Sequence, residues 1–296
     1  MPVRLGTNPI AWSNDDMPEL GGATPLETCL AEARQAGFDG IELGHKFPRS
    51  AAALRPLLDR HRLALVSGWW SARLLERSVE EEMRALEAHA GLLSALGCRV
   101  VIVAETSGGI AARRDAPLSC RPVLAEAEWP RLGRALTALA DRLAARGLGL
   151  AYHHHMGTVI ETEAEIDRLL ALAGPSVGLL LDTGHLAFAG GDPAGVARRH
   201  ARRINHVHCK DVRPAVLERA RREDWPFLEA VLRGVFTVPG DGAIDFAAAL
   251  APLAGYSGWL VVEAEQDPAR ADPRRYAEIG LRNLRAAALA AGIEVD

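Results

Sequence analysis

Val100-Val101-Ile102-Val103-Ala104-Glu105 passes through five apolar residues without interruption and stops on a carboxylate. A half-buried strand alternates polar and apolar residues, whereas an unbroken run is how a parallel strand covered on both faces reads. Seven more runs of this kind recur: Val3 to Gly6, Gly40 to Leu43, Ala64 to Ser67, Leu148 to Tyr152, Val177 to Leu181, Ile204 to His208 and Trp259 to Val262. Eight such strands need eight crossovers, and the sequence between them supplies helices.

Thr24, Pro25 and Glu27 offer an N-cap, a favoured first position and a capping-box partner, and Gly37 stands where a helix should stop. Between Ser78 and Gly97, the apolar Val79, Met83, Leu86, Ala90, Leu93 and Leu96 step by three or four, with Glu80, Glu81, Arg84 and Glu87 on the other face. Repeated strand-then-helix units predict an α/β fold, a single (β/α)8 TIM barrel spanning residues 1–296 as one domain. A doubly wound nucleotide-binding sheet usually opens on a Gly-rich turn, and no G-x-G-x-x-G or Walker sequence is present. The longer segments Thr106 to Glu126 and Asp211 to Ala243 read as loops or accessory helices over one barrel end.

Composition narrows the partners. A net charge of −4 gives no long-range attraction for nucleic acid or anionic lipid. Cys29, Cys98, Cys120 and Cys209 are scattered without a C-x-x-C pair, which fits reduced thiols in a cytoplasm. Met1 to Trp12 lacks a basic start followed by an apolar run, and no stretch of about 18 apolar residues occurs. The expectation is a cytoplasmic protein that binds neither nucleic acid nor membrane, with a homo-oligomer compatible with the sequence.

In such a barrel the active site forms at the C-terminal strand ends. Strand two ends in Glu42, four in Glu105, five in His153, His154 and His155, six in Asp182 followed by His185, seven in His206 and His208, and eight in Glu263 and Glu265. Carboxylates and imidazoles converging from several strands cost free energy unless paired or ligated, which points to a divalent metal. His206 and His208 share a strand face, so one ligates while the other lies deeper, and Cys209 points away. By the same alternation His153 and His155 face one side and His154 the other, with His153 closest to the metal. Asp182 is a ligand candidate whose competing role is capping the next helix. Glu263 and Glu265 also share a face, which suits a ligand plus a general base or an acid and base pair. Lys46 and Arg49, after strand two, are candidates to hold a polyhydroxylated or anionic substrate. Arg198, Arg199, Arg202 and Arg203 read as the outer face of a helix.

Gly6-Thr7-Asn8-Pro9-Ile10-Ala11-Trp12-Ser13-Asn14-Asp15-Asp16, Gly44-His45-Lys46-Phe47-Pro48, Tyr152-His153-His154-His155-Met156-Gly157-Thr158 and Leu181-Asp182-Thr183-Gly184-His185 resemble the inosose (2-keto-myo-inositol) dehydratase family. The resemblance continues through His206-Val207-His208-Cys209-Lys210-Asp211 and Val262-Glu263-Ala264-Glu265-Gln266-Asp267. It implies a xylose-isomerase-like barrel, a Mn2+ or Co2+ cofactor and a small polyhydroxylated cyclic ketone as substrate. Glutathione is also associated with the family, but no residue here accounts for it. The superfamily usually holds its metal with Glu, Asp, His and Glu from strands five to eight. Carried over, these positions are His153, which departs from the usual Glu, then Asp182, His208 and Glu263. Glu265 takes the ligand place if Glu263 is the base.

The reaction implied is loss of water from 2-keto-myo-inositol, giving a trihydroxycyclohexane-1,2-dione in inositol catabolism. A metal would polarise the ketone while a carboxylate or imidazole removes the α proton and an acid assists the β-hydroxyl. Glu265, His155 and Lys46 are the candidates for proton transfer, with no assignment among them. Trp12 and Asn14 on the first loop, with Trp69 and Trp70 after strand three, are candidates to cover the ring, against a competing role in packing. Glu42, His185 and Lys210 complete the expected substrate-binding set. The alternatives are a keto-sugar 3-epimerase or isomerase, an endonuclease IV-like phosphodiesterase, and a metal-free sugar-binding barrel.

Overall fold

A strand that is apolar along its length still divides by parity, because successive side chains leave opposite faces. In the computed structural model, which describes residues 2–296, that division separates two kinds of core. The strands are β1 (Arg4–Thr7), β2 (Gly40–Leu43), β3 (Ala64–Ala72), β4 (Val100–Glu105), β5 (Gly149–His153), β6 (Val177–Asp182), β7 (Ile204–Cys209), β8 (Asp211–Val212), β9 (Phe236–Thr237) and β10 (Trp259–Val262). Eight of them close a parallel barrel in the order β1-β10-β7-β6-β5-β4-β3-β2, and β8 and β9 form a separate antiparallel pair.

Outward residues such as Leu150, Tyr152, Leu179, Leu181, Val207 and Leu260 join the core between barrel and helices. A fully buried apolar side chain of this size contributes roughly 1.5–3 kcal/mol, so the fold's stability resides largely there. Inward residues fill the barrel's lower part in two small clusters, Val100, Ile102, Ala151 and Leu180, and Val66, Trp259 and Val261. Gly40 is required by this filling: a Cβ would stand 2.6 Å from the Trp259 ring and 2.7 Å from Val66. One inward step further up the strands come His153, Asp182, His208 and Glu263. Asp182 and His208 are paired in the β6–β7 register, and Val261 pairs with His208 between β10 and β7.

The helix Val79–Ala95 carries the reciprocal capping box between Ser78 and Glu81. The helix Leu26–Ala36 differs at its start from the sequence expectation: Pro25 occupies the cap and no side chain caps it. Glu27 instead reaches Arg60 and His61 on the neighbouring helix, each at 2.6 Å. Gly37 ends the helix at φ +106°, as its position suggested. The longest strand, β3, outruns the expected end at Ser67, because Trp69 to Ala72 pair with Ile102 to Glu105. Trp69 and Trp70 are therefore strand residues rather than loop residues. β5 and β6 likewise continue through His153 and Asp182, since backbone pairing does not stop where side chains turn polar.

Of the two long segments, residues 211–243 contribute β8, β9 and the helices Pro214–Arg222 and Phe227–Leu232. Their apolar side chains form a second core with Met17, Met156 and Phe188 over the C-terminal ends of the barrel strands. The expected arginine face is divided: Arg199, on the helix Pro193–His200, pairs with Glu163 and Asp167, whereas Arg202 and Arg203 lie past the helix end and the half-buried Arg203 donates to the carbonyls of Leu170, Gly174 and Val177. Among the described residues no helix is long and apolar enough to cross a membrane.

Candidate active site

Four side chains from four consecutive barrel positions meet at the floor of a cavity of about 320 Å3. His153 Nε2 lies 3.3 Å and His208 Nδ1 3.5 Å from Asp182 Oδ2, and His208 Nδ1 is 2.6 Å from Glu263 Oε2. All four are buried, yet His208 Nδ1 and Glu263 Oε2 have no hydrogen-bond partner despite their proximity. Ligands about 2.1 Å from an ion in a tetrahedral shell stand roughly 3.4 Å apart, close to two of these separations. Donor atoms that converge with a single hydrogen bond among them, His153 to Asp182, drawn from two imidazoles and two carboxylates, fit a divalent cation. Asp182 performs both roles weighed for it: Oδ1 caps the helix Thr183–Phe188 by accepting the His185 N–H, and Oδ2 faces the cluster. His185 is accordingly a helix residue, not a loop residue.

Glu42 sits behind this cluster. Its Oε1 accepts from Ser67 Oγ at 2.6 Å, His206 Nε2 at 2.8 Å and His208 Nε2 at 3.1 Å, while Oε2 accepts from Asn8 Nδ2 at 2.7 Å. Burial opposes its charge, but His208 and His206 outweigh burial and hold the carboxyl well below the usual range. A hydrogen on His208 Nε2 leaves Nδ1 as the atom aimed at the cluster, the arrangement that orients a metal-binding imidazole. Burial also opposes a charge on His208, and Glu263 and Glu42 outweigh it, so its pKa is held well above the usual value. A proton and a cation are alternatives at that nitrogen. Glu42, expected to bind substrate, does line the cavity, and its Oε1 also holds His208 and the deeper His206.

Lys210 lies fully buried against the same floor. Its Nζ donates to Glu265 Oε1 at 2.5 Å and His185 Nε2 at 2.9 Å, and is 3.4 Å from Glu263 Oε2. Burial disfavours the ammonium, but Glu263, Glu265 and Asp182 outweigh it and raise the pKa above its ordinary value. Gly184 makes room for the lysine stem, since a Cβ there would meet Lys210 Cγ at 2.5 Å. Lys210 and His185 thus lie behind the cavity wall and hold Glu265, rather than facing the cavity as substrate contacts. Glu265 lines the cavity and its Oε2 is buried without a partner.

His155 also lines the cavity, with its ring centroid 4.0 Å from that of His185. Its Nδ1 is 2.8 Å from the Met156 carbonyl, which can only accept, so the hydrogen is on Nδ1 and Nε2 carries the lone pair. Burial lowers its pKa, against an opposing effect of Glu265. His155 Nε2 is therefore an acceptor at neutral pH.

Other expected residues fall outside the cavity. Lys46 Nζ donates to the carbonyls of Gly21, Gly22 and Thr24 at 2.8, 2.9 and 2.6 Å, so it fastens the loop after β1. Trp12 is buried and donates to Glu32, and Asn14 is buried with Oδ1 accepting from the backbone of Asp16 and Met17. Both build that loop instead of covering a ring. Parity splits the tryptophans: Trp69 lines the cavity with its ring edge-on to His153 and His155, at 5.2 and 5.5 Å, while Trp70 donates to Glu82 on the helix Val79–Ala95. Glu105, another polar strand end, accepts from the backbone of Leu74 and Ser107 and does not line the cavity. Asp15 and Asp16, which the pattern of polar strand ends does not single out, do line it. Two adjacent carboxylates in the loop after β1 were the available signal.

Comparison with known proteins places this geometry. The description "xylose isomerase-like TIM barrel" matches residues 30–287. The chain is 55% identical to the rhizopine catabolism protein MocC of Rhizobium meliloti, covering 100% of this chain and 92% of the relative. It is 48% identical to an inosose dehydratase of Geobacillus thermodenitrificans, covering 93% of this chain and 94% of the relative. Among solved structures, an IOLI protein with a bound zinc atom superposes with a TM-score of 0.61 at 18% identity, over 98% of each chain.

Proposed function

This chain belongs to the xylose isomerase-like TIM barrel family, and we propose that it is an inosose dehydratase, a hydro-lyase that removes water from a cyclic polyol ketone in inositol catabolism. The observation that carries the reading is the cavity itself. A four-donor cluster fit for a cation stands beside a carboxylate, Glu265, whose outer oxygen has no partner, in a chain nearly half identical to an inosose dehydratase. The whole chain acts as one barrel domain.

His153, Asp182, His208 and Glu263 would hold the cation, for which we propose Mn2+ or Co2+. When bound, it supplies Lewis-acid polarisation of the ketone oxygen. The protein's own residues do the rest. Glu265 Oε2 takes the proton from the carbon next to the ketone, with its orientation set by Lys210 through Oε1. His155 Nε2 accepts from a ring hydroxyl, and Trp69 walls the cavity beside it. Lys210 offsets one of the three negative charges of Glu263, Glu265 and Asp182, and a divalent cation would balance the other two. Four free cysteines, three of them buried, suit a reducing cytoplasm.

The test is to strip the protein of cations, reload it with Mn2+ or Co2+, and follow the conjugated dione by ultraviolet absorbance with 2-keto-myo-inositol as substrate. The expected outcome is turnover only when loaded. Accumulation of an epimerised ketone without dione would overturn the dehydratase reading, and full activity in the stripped protein would overturn the metal.

A further inference from the structure

Expelling a hydroxide is far harder than expelling water, so the β-hydroxyl needs a proton as its bond breaks. Of the candidates for proton transfer, neither Lys46 nor His155 offers one: Lys46 is engaged with three carbonyls, and His155 points a lone pair into the cavity. Resting on the dehydratase reading, we propose that Asp16 is the catalytic acid that protonates the departing β-hydroxyl.

Asp16 lines the same cavity as Glu265, and its carboxylate makes no hydrogen bond or ion pair among the described residues. Its neighbour Asp15 is engaged, accepting from His45 Nδ1 at 2.6 Å. The loop that carries Asp16 is held from both sides. Upstream, Asn14 Oδ1 accepts the Asp16 and Met17 N–H groups at 2.9 and 2.8 Å, and Met17 is fully buried in the core over the barrel end. Downstream, Lys46 ties the carbonyls of Gly21, Gly22 and Thr24. A fixed backbone with a free carboxylate is what proton transfer needs, because orientation is set before substrate arrives. The charge setting agrees: surrounding protein raises the Asp16 pKa to about 7, Glu265, Asp15 and Glu263 add to the rise, and Lys210 opposes it.

The step balances as follows. In the first step Glu265 takes the α proton and the C–H electron pair becomes the carbon–carbon double bond of an enolate, as the ketone's π pair moves to its oxygen. In the second, that pair re-forms the ketone, the double bond shifts to lie between the α and β carbons, and the β-carbon–oxygen bond breaks with its pair going to oxygen. That oxygen takes the proton of Asp16 and leaves as water. Asp16 ends as carboxylate and Glu265 as carboxylic acid, and one proton exchanged through solvent restores both.

The experiment measures two rates on the cation-loaded, full-length protein with 2-keto-myo-inositol: α-proton exchange in deuterated solvent by mass spectrometry, and dione formation. For Asp16→Asn the expected result is a fall in dione formation of roughly 100-fold or more, with exchange within about threefold of the unmodified protein. Asp16→Glu should recover part of the loss. An analogue with fluorine in place of the β-hydroxyl, whose departure needs less protonation, should be eliminated by Asp16→Asn at nearly the unmodified rate. Equal loss of exchange and elimination, or no loss of elimination, would overturn the assignment to Asp16. Failure of the unmodified protein to form any dione would instead sink the dehydratase reading, so the two are told apart.

Discussion

Replacing Glu42 with glutamine tests whether the cluster's geometry is set from behind. The shape is kept and the charge removed. With the amide oxygen toward Ser67, His206 and His208, the amide nitrogen faces Asn8 Nδ2, 2.7 Å away and itself a donor. With the amide turned, the donor–donor conflict moves to the two imidazoles and the Ser67 hydroxyl. Either way at least one buried charge-assisted bond is lost, at a cost of about 1.5–3 kcal/mol. In a chain of this size that lowers the melting temperature by about 5 °C. Loss of the carboxylate behind a ligating histidine typically weakens metal binding 10- to 100-fold, or about 1.4–2.7 kcal/mol. The assay is calorimetric titration of cation-stripped protein with Mn2+, alongside thermal unfolding. Glu105→Gln is the control, because Glu105 also ends a strand and accepts two backbone N–H groups, at 2.6 and 2.9 Å, but away from the cavity. It should lower the melting temperature and leave the metal Kd unchanged. A Glu42→Gln protein that is destabilised yet binds Mn2+ within about twofold of the original would refute the claim that Glu42 orients His208 for the ion.

Lys46→Met should release the loop after β1, seen as faster amide exchange at residues 14–24 and about a tenfold loss of kcat/KM, with the metal Kd unchanged; unaltered exchange in that loop would remove Lys46 from this role. Gly184→Ala forces its new methyl against the Lys210 stem, so it should lower both stability and α-proton exchange; a protein with full exchange would show that Lys210 need not hold Glu265. Asp16→Asn should stabilise the cation-stripped protein above pH 7. The folded carboxyl titrates at about 7 rather than its ordinary 3.8, so its ionised form penalises the fold above pH 7, and the penalty fades as pH falls toward 4. The variant should therefore melt higher than the original protein at pH 8 and at the same temperature at pH 4; equal melting temperatures at both would refute the raised titration.

The unbroken apolar runs and the helical stretches between them determined the barrel by themselves, because burial on both strand faces and amphipathic periodicity are written in local order. Strand parity carried equally far into the site. His153, Asp182, His208 and Glu263 were each legible as inward strand ends, since a side chain's face follows from counting residues along its own strand. What counting could not supply was which polar ends face an open cavity and which are already engaged. Glu105 and Glu42 look alike in the chain, yet one holds backbone amides and the other a pair of imidazoles. Lys46, a candidate for proton transfer by its place in the chain, is instead surrounded by three carbonyls of a distant loop. Asp16 read as loop until the path of that loop brought it to the cavity. A side chain's partners come from segments far apart in sequence, and only the closing of the barrel and the folding of its loops decide which of them arrive.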